Sequence, residues 1–168
     1  MKWFIIIASL TVLLSCKQSE MTTDANNNNS TQKENITDAT PIKEALFLTM
    51  ERTPCLGRCP NYKITIMNTG KIIYEGNQFT EPLGQYTKML SSKQLSKIQQ
   101  KMEDINLFEM NDKYDGRVTD ISAVSIFVVY KGSKKKIFDR YGGPKELREF
   151  EELIDTIVID DQLIKVEE

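Results

Sequence analysis

The sequence predicts an α+β fold, a single domain with a mainly antiparallel sheet and two helices packed on one of its faces. First, the spacing of apolar residues changes along the chain, from every second residue in several segments to every third or fourth in two others. Second, short turns join most of the strand-like segments, which favours antiparallel pairing. Third, 168 residues suffice for one ordinary domain and leave little room for another. The predicted order is β-β-β-β-α-β-β-α.

Four strands are expected to open the domain, which should begin near Ala45. Between Tyr62 and Ile66 apolar and polar residues alternate, as in a strand with one buried face. The turn signal Asn68-Thr69-Gly70 then predicts a hairpin with the strand that follows. The four predicted strands are Phe47–Arg52, Tyr62–Ile66, Lys71–Glu75 and Tyr86–Leu90.

A helix is predicted next, followed by a second hairpin and a last helix. Ser91 and Gln94 match a capping box, which marks the start of the first helix. Its apolar face consists of Leu95, Ile98, Met102 and Ile105. The hairpin strands are Ala123–Tyr130 and Lys136–Tyr141, with a turn at Gly132-Ser133. Pro144 is expected in the first turn of the last helix, whose apolar face consists of Leu147, Phe150, Ile154 and Ile157.

The first sixteen residues have the features of an export signal. Lys2 is followed by a run of twelve mostly apolar residues, from Trp3 to Leu14, which is too short for a transmembrane helix of about 20 residues. The run ends in Leu13-Leu14-Ser15-Cys16, which resembles the lipobox of bacterial lipoproteins. That resemblance implies cleavage before Cys16, a diacylglycerol on its thiol, acylation of its new amino group with a chain such as palmitate, and anchoring in a lipid bilayer. Because Lys17 rather than Asp follows Cys16, it also implies the outer membrane, on its periplasmic or its outward face.

The segment after Cys16 is predicted to be a disordered tether. Asn26 to Asn29 form a run of four asparagines among Thr, Ser, Gln and Asp, with too little apolar surface to offset the entropy of ordering. A flexible coil of this length reaches about 30 Å r.m.s.. The predicted organisation is therefore a signal peptide at residues 1–15, the lipidated cysteine and tether at residues 16–44, and the folded domain at residues 45–168.

Composition excludes several classes of site. The chain has no histidine, which excludes imidazole bases, Ser-His-Asp and Cys-His catalysis, and zinc sites that need a histidine ligand. Its 22 Lys and Arg against 24 Asp and Glu give a net charge of −2, so no excess of cations favours nucleic acid as a partner. The sequence predicts no cofactor, no metal ion and no catalytic residues.

The densest group of special residues is the stretch from Arg52 to Tyr62. It contains two prolines, one glycine, and the pair Cys55 and Cys59, which are expected to form a disulfide in an oxidising compartment. A thiol role is the alternative. The spacing of Cys55, Cys59 and the following proline is similar to the copper-binding motif of Sco-type chaperones, and two thiolates can hold Cu(I). A disulfide-exchange role would need one thiolate of lowered pKa.

This stretch reads R-T-P-C-x-G-x-C-P-x-Y and is followed by Gly70 in a turn, Tyr74-Glu75-Gly76, Tyr114-Asp115-Gly116 and Thr119-Asp120. Together these motifs resemble a family of bacterial lipoproteins that share a domain of unknown function. The resemblance extends from about Leu46 to Ile157. It implies the boundaries of the domain and brings no activity, substrate or catalytic residue.

A second group of polar residues lies between the first helix and the second hairpin. An EF-hand aligned from Asn111 would need carboxylates where Lys113 and Ser122 stand, so an EF-hand is excluded. An irregular calcium site and a simple turn at Asp115-Gly116 are left, and the turn is favoured. With the residues near the cysteines, this group provides a candidate binding surface that consists of Arg52, Arg58, Tyr62, Tyr114, Asp115, Asp120, Asp139 and Tyr141.

These observations predict a membrane-anchored lipoprotein of the cell envelope. A tethered domain without a catalytic constellation suits a binding or assembly module, whose partner would be an envelope protein or another ligand. The alternative is a thiol-based periplasmic protein that binds Cu(I) or exchanges disulfides through Cys55 and Cys59. An enzyme that relies on carboxylates and tyrosines is a third hypothesis.

Overall fold

A computed structural model describes residues 43–167 of the chain. Within these residues, eight strands form one sheet, two α-helices cover it, and Leu107–Glu109 form a single 3₁₀ turn. No helix in this part of the chain is long and apolar enough to cross a membrane. The strands are β1 (Leu46–Arg52), β2 (Asn61–Met67), β3 (Lys71–Gln78), β4 (Gly84–Met89), β5 (Lys113–Asp115), β6 (Val124–Tyr130), β7 (Ser133–Tyr141) and β8 (Ile164–Lys165), and the helices are α1 (Ser92–Asp104) and α2 (Lys145–Val158).

The strands lie in the order β5-β7-β6-β1-β2-β3-β4-β8. All neighbouring pairs are antiparallel except β5 and β7, which are parallel. The longer strands occupy the middle of the sheet, and the two outer strands have only three and two residues. Short edge strands of this kind leave little unpaired backbone for uncontrolled pairing with other chains.

One face of the sheet is buried and the other is open. Along β2 and β3, buried and partly exposed residues alternate at every position up to Gly76, because successive side chains point to opposite faces. The buried face forms one apolar core with Ile98 and Met102 of α1 and with residues of α2. From α2 the core takes Leu147, Phe150, Ile154, Ile157 and Val158. Both helices therefore pack on the same face, as the sequence predicts.

The predicted fold class is confirmed, and the local signals hold with small corrections. Ser91 caps α1 in a reciprocal capping box with Gln94. Pro144 is the N-cap of α2 rather than a residue of its first turn, a difference of one position. The seventh strand begins at Ser133 instead of Lys136, and the fourth covers Gly84–Met89 instead of Tyr86–Leu90. Strands β5 and β8 are additions to the predicted order.

Candidate functional site

Several of the polar residues singled out by the sequence lie in one row across the buried face of the sheet. The strand register pairs each member of this row with the next one on the adjacent strand. From the outer strand β5 towards the middle, the row is Tyr114, Asp139, Val124, Arg52, Tyr62 and Gly76. The row lies at the end of β1 and the start of β6. There polar side chains of the sheet contact helix α2.

Arg52 and Tyr62 are joined to each other and to Asp155 of α2. The Arg52 guanidinium donates to Oδ2 of Asp155, with Nη2 at 2.6 Å and Nε at 3.1 Å. The Tyr62 hydroxyl donates to Oδ1 of the same carboxylate at 2.6 Å and accepts from Arg52 Nε at 2.7 Å. Burial and the hydrogen bond to Asp155 raise the pKa of Tyr62. The first and last residues of the cysteine motif thus hold α2 against the sheet through one carboxylate.

We call Arg52, Tyr62 and Asp155 the clamp. Two more carboxylates lie near it, inside the domain. Glu151 of α2 is 4 % exposed, and its Oε1 has no hydrogen-bond partner within residues 43–167. Burial raises the pKa of Glu151 to about 7, and the charges of Asp139 and Asp155 act in the same direction. Asp139 is also buried, and burial raises its pKa although it accepts a hydrogen bond from the Gly143 amide at 3.2 Å. A substrate has no direct access to the carboxylate of Glu151.

A glycine makes the close approach of Asp139 possible. A Cβ atom on Gly143 would overlap the carboxylate of Asp139, so only glycine leaves room for this contact. Arg148, on the first turns of α2, donates to the carbonyl of the same glycine. The buried acid, the glycine loop and the arginine therefore hold the start of α2 to the end of β7. No group of three or more Cys, Asp or Glu side chains in the described part of the chain is placed to share a metal ion.

Cys55 and Cys59 form a disulfide, with their Cα atoms 5.7 Å apart. The bridge closes the link between β1 and β2, which has no regular secondary structure and exposes three consecutive residues, Leu56, Gly57 and Arg58. The Gly57 amide donates to Sγ of Cys55 at 3.2 Å. The bridge therefore limits the motion of a surface loop that has little packing of its own.

This loop and the connection between β3 and β4 meet at an exposed surface, where Arg58, Phe79 and Leu83 line one pocket together with Thr80 and Glu81. Exposed Leu56 lies two residues before Arg58, and we call Leu56, Arg58, Phe79 and Leu83 the tip patch. Leu56 is 86 % exposed, Phe79 50 % and Leu83 56 %. The Arg58 guanidinium lies 5.5 Å from the centre of the Phe79 ring and forms no salt bridge with any residue from 43 to 167. Large exposed apolar side chains around a free arginine are typical of the centre of a binding surface.

The β3–β4 side of the tip patch is held by internal contacts. The hydroxyls of Tyr74 and Thr80 share a hydrogen bond of 2.8 Å, which ties the loop to the core. Gly76 packs so closely on the Pro82 carbonyl and the Tyr74 ring that a Cβ atom there would overlap them. Phe79 itself has a φ of 51°, a backbone conformation that side chains rarely adopt. The loop therefore presents Phe79 and Leu83 in a defined position.

The structure divides the predicted surface into separate groups. Arg52 and Tyr62 serve the clamp, Asp139 is buried, and Arg58 belongs to the tip patch. Tyr114 and Asp115 lie on β5, where the Tyr114 hydroxyl accepts from the Asn111 amide and Asp115 pairs with Lys113 and Arg140. The Tyr141 ring covers Gly116, and Asp120 accepts from the Thr119 hydroxyl. The predicted lipidation site, Cys16, lies outside the described residues.

Sequence reasoning missed four residues that matter here. Asp155 and Glu151 lie on the last predicted helix, and no local signal distinguishes them from its other acidic residues. Phe79 and Leu83 carried a usable signal, because both are large apolar residues in a segment without strand alternation, between Gln78 and Gly84. Such residues are exposed unless a loop folds back on the core.

Comparison with known proteins finds one family. A model described as a domain of unknown function, DUF6438, matches residues 46–158, which begins with β1 and ends with α2. No curated protein matches the chain.

Proposed function

The chain belongs to the DUF6438 family, whose model covers the residues of the clamp, the disulfide and the tip patch in this chain, and we propose that this member is a lipid-anchored protein of the cell envelope that binds another envelope protein. It acts as a binding or assembly module and catalyses no reaction. The outer membrane holds it through acylated Cys16, and the segment that follows gives the domain freedom to reach its partner.

The tip patch carries this proposal. Its three large apolar side chains are exposed. Burying them against a partner would stabilise the complex by about 25 cal/mol for every Å² of apolar surface removed from water. Arg58 is free to form a charged hydrogen bond with a carboxylate of the partner. The loops are already held by the disulfide and by the contacts of Thr80 and Gly76, so little entropy is lost when a partner binds.

The contacts of the row across the sheet argue against catalysis there. Arg52 and Tyr62 already form hydrogen bonds with each other and with Asp155. Their polar atoms therefore face the helix rather than an open cleft. Glu151 has the raised pKa of a general acid but lies inside the core. This group of residues is therefore best explained as the support of α2.

A mass measurement tests the anchor and the bridge together. We expect full-length protein, extracted from its membrane with detergent and alkylated without reductant, to begin at Cys16 and carry two or three acyl chains. Cys55 and Cys59 should be unmodified by the alkylating reagent. Replacement of Cys16 by serine should abolish the acyl mass and leave the precursor uncleaved. Acyl-free protein that begins elsewhere would refute the anchor.

Photo-crosslinking in cells tests the tip patch. A photoreactive residue in place of Leu56 should give adducts with a protein partner. If Phe79 anchors the partner, Phe79→Ala should lower the adduct yield at least tenfold, because truncating a binding hot spot costs about 2 kcal/mol or more. Tyr141→Ala is the matched control, since Tyr141 is an exposed aromatic residue at 61 % and lies on β7, away from the patch. Equal yields from the two variants would contradict the proposal.

One observation supports a second candidate function, a thiol-based role. Both cysteines are partly exposed, and the Gly57 amide that donates to Sγ of Cys55 would also stabilise a thiolate. In that role the reduced pair would bind Cu(I) or exchange disulfides with another protein. The reduction potential distinguishes the two functions, because a structural bridge has a potential below about −300 mV and a working pair a higher one.

A further inference from the structure

The strand β8 belongs to a segment that lies outside the family domain and covers one edge of its sheet. We call residues 162–167 the strap. It pairs with β4 through only two residue pairs, Ile164 with Thr87 and Lys165 with Tyr86. One further hydrogen bond joins the Val166 amide to the carbonyl of Gln85 at 3.0 Å. Ile164 is 67 % exposed, so the strap buries little apolar surface there.

The base of the strap is held more firmly than its strand. Lys88 of β4 is buried and donates to Oδ2 of Asp160 at 2.6 Å and to the Ile157 carbonyl at 2.7 Å. Leu163 packs partly against the core. The strand Ile164–Lys165 can therefore leave the β4 edge while Lys88 and Asp160 keep the end of α2 in place.

The β4 edge offers more pairing than the strap uses. In an antiparallel ladder, every second residue directs its backbone N–H and C=O to the same side. Gln85 and Thr87 face the strap, so Met89 faces the same way, beyond the last strap pair. A cleft of about 870 Å³ lies at the start of β4, between the end of β3, Gly84 and Gln85 of β4 and the strap, and it reaches Leu83 of the tip patch.

We propose that the β4 edge is the docking site for an extended peptide segment of the envelope partner, which adds to the sheet as a strand in place of the strap. This inference rests on the proposed binding function and specifies the form of the ligand. The strap shows the backbone pairing that the site accepts, an antiparallel segment, and it carries two exposed β-branched residues two positions apart, Ile164 and Val166. Backbone pairing would supply affinity and the alternate side chains selectivity.

The direction of the strap connects this edge to the tip patch. Because β8 runs antiparallel to β4, a strand that continues past the position of Val166 passes the start of β4 and approaches Leu83. Its next residues would reach Phe79 and Arg58. Glu167 of the strap lines the cleft but forms no salt bridge with Arg58, so an acidic residue further along the bound segment would be the one to meet this guanidinium. One bound segment would thus use both surfaces.

Releasing the strap should expose the site to a peptide in solution. Val166→Pro removes the backbone N–H that donates to the Gln85 carbonyl, because proline has no amide hydrogen. The variant therefore loses this hydrogen bond but keeps every residue of the strap. Glu167→Pro is the matched control, because the Glu167 amide points away from β4 in the same alternation. A second variant ends the chain after Leu163 and keeps the Lys88–Asp160 contact. The probe is a fluorescent peptide with the sequence of residues 161–167, and its anisotropy is measured against full-length protein.

We expect the probe to bind Val166→Pro and the shortened variant at least tenfold more tightly than the unaltered chain or Glu167→Pro. A probe with aspartate at both apolar positions should not bind any of them. The adduct yield from a crosslinker at position 56 should rise in Val166→Pro. Equal probe binding by all variants would overturn the inference. Adducts at position 56 that do not change on strap release would leave the binding function standing and refute strand addition.

Discussion

Replacing Asp155 with alanine is expected to lower the free energy of unfolding by about 3 kcal/mol. The carboxylate is the shared acceptor of the clamp, so its removal leaves the Arg52 guanidinium and the Tyr62 hydroxyl without their partner, both partly buried. Breaking one side of such a pair costs more than the pair itself contributes, because an uncompensated charge is left behind. Urea or thermal unfolding of the purified protein measures the difference.

Two further variants serve as comparisons for Asp155→Ala. Glu152→Ala changes an exposed carboxylate three residues earlier on the same helix and should alter stability by less than about 0.5 kcal/mol. Tyr62→Phe removes one hydroxyl and should cost about 1 kcal/mol. If Asp155→Ala proved no more harmful than Glu152→Ala, the clamp would not be what holds α2 to the sheet. Asp155→Ala protein that is folded should retain binding through the tip patch.

The clamp is an example of a feature that the sequence alone does not predict. Helix α1 was predictable in detail because its signals are local: Ser91 and Gln94 lie three residues apart, and its apolar residues repeat with the helix. Asp155, in contrast, is 103 residues from Arg52, and no nearby residue distinguishes it from the exposed acids of α2. Its role follows from the register of β1 and β2 and from the position of the helix above them.

The same reasoning explains the strands that were not predicted. A two- or three-residue strand has no room for an alternating pattern, so β5 and β8 carry no periodic signal. They exist because β7 and β4 offer them an edge. Arg52, Tyr62 and Asp139 were predicted as three of the eight residues of a binding surface. Their row in the sheet and their contacts could not be predicted, because burial beneath α2 decides whether these polar groups face a ligand or each other.

The buried acid Glu151 leads to the second large effect, a stability that depends on pH with an unusual sign. Its ordinary pKa of 4.5 is raised to about 7 in the folded protein, mainly by burial. Between these two values the folded chain keeps a proton that the unfolded chain has lost. Stability should therefore fall as the pH rises from about 4.5 to 7, and the full penalty is present above that range. At 1.36 kcal/mol for each pH unit, the penalty is about 3 kcal/mol.

Glu151→Gln should remove this penalty. The amide has nearly the shape of the protonated acid and no charge to bury, so we expect the variant to be about 3 kcal/mol more stable than the unaltered chain at pH 8 and nearly equal to it at pH 4.5. Unfolding in urea at each pH across this range gives the difference in the free energy of unfolding between the two proteins. In this difference, contributions that both proteins share cancel. Asp139 is not one of them, because its charge acts on Glu151; its own pKa is raised by burial, and its effect has the same sign.

The surroundings of Glu151 provide the control and the contrary outcome. Arg52 and Arg148 lower the pKa of Glu151, whereas Asp139 and Asp155 raise it, so these four charges face it from β1, β7 and α2 itself. Exposed Glu152 is its neighbour, and Glu152→Gln should leave the curve of stability against pH unchanged. Curves for Glu151→Gln and the unaltered chain that ran parallel from pH 4.5 to pH 8 would mean that Glu151 is charged when folded. Its uncompensated oxygen would then need a cation that Arg52 cannot supply, because the guanidinium is already committed to Asp155.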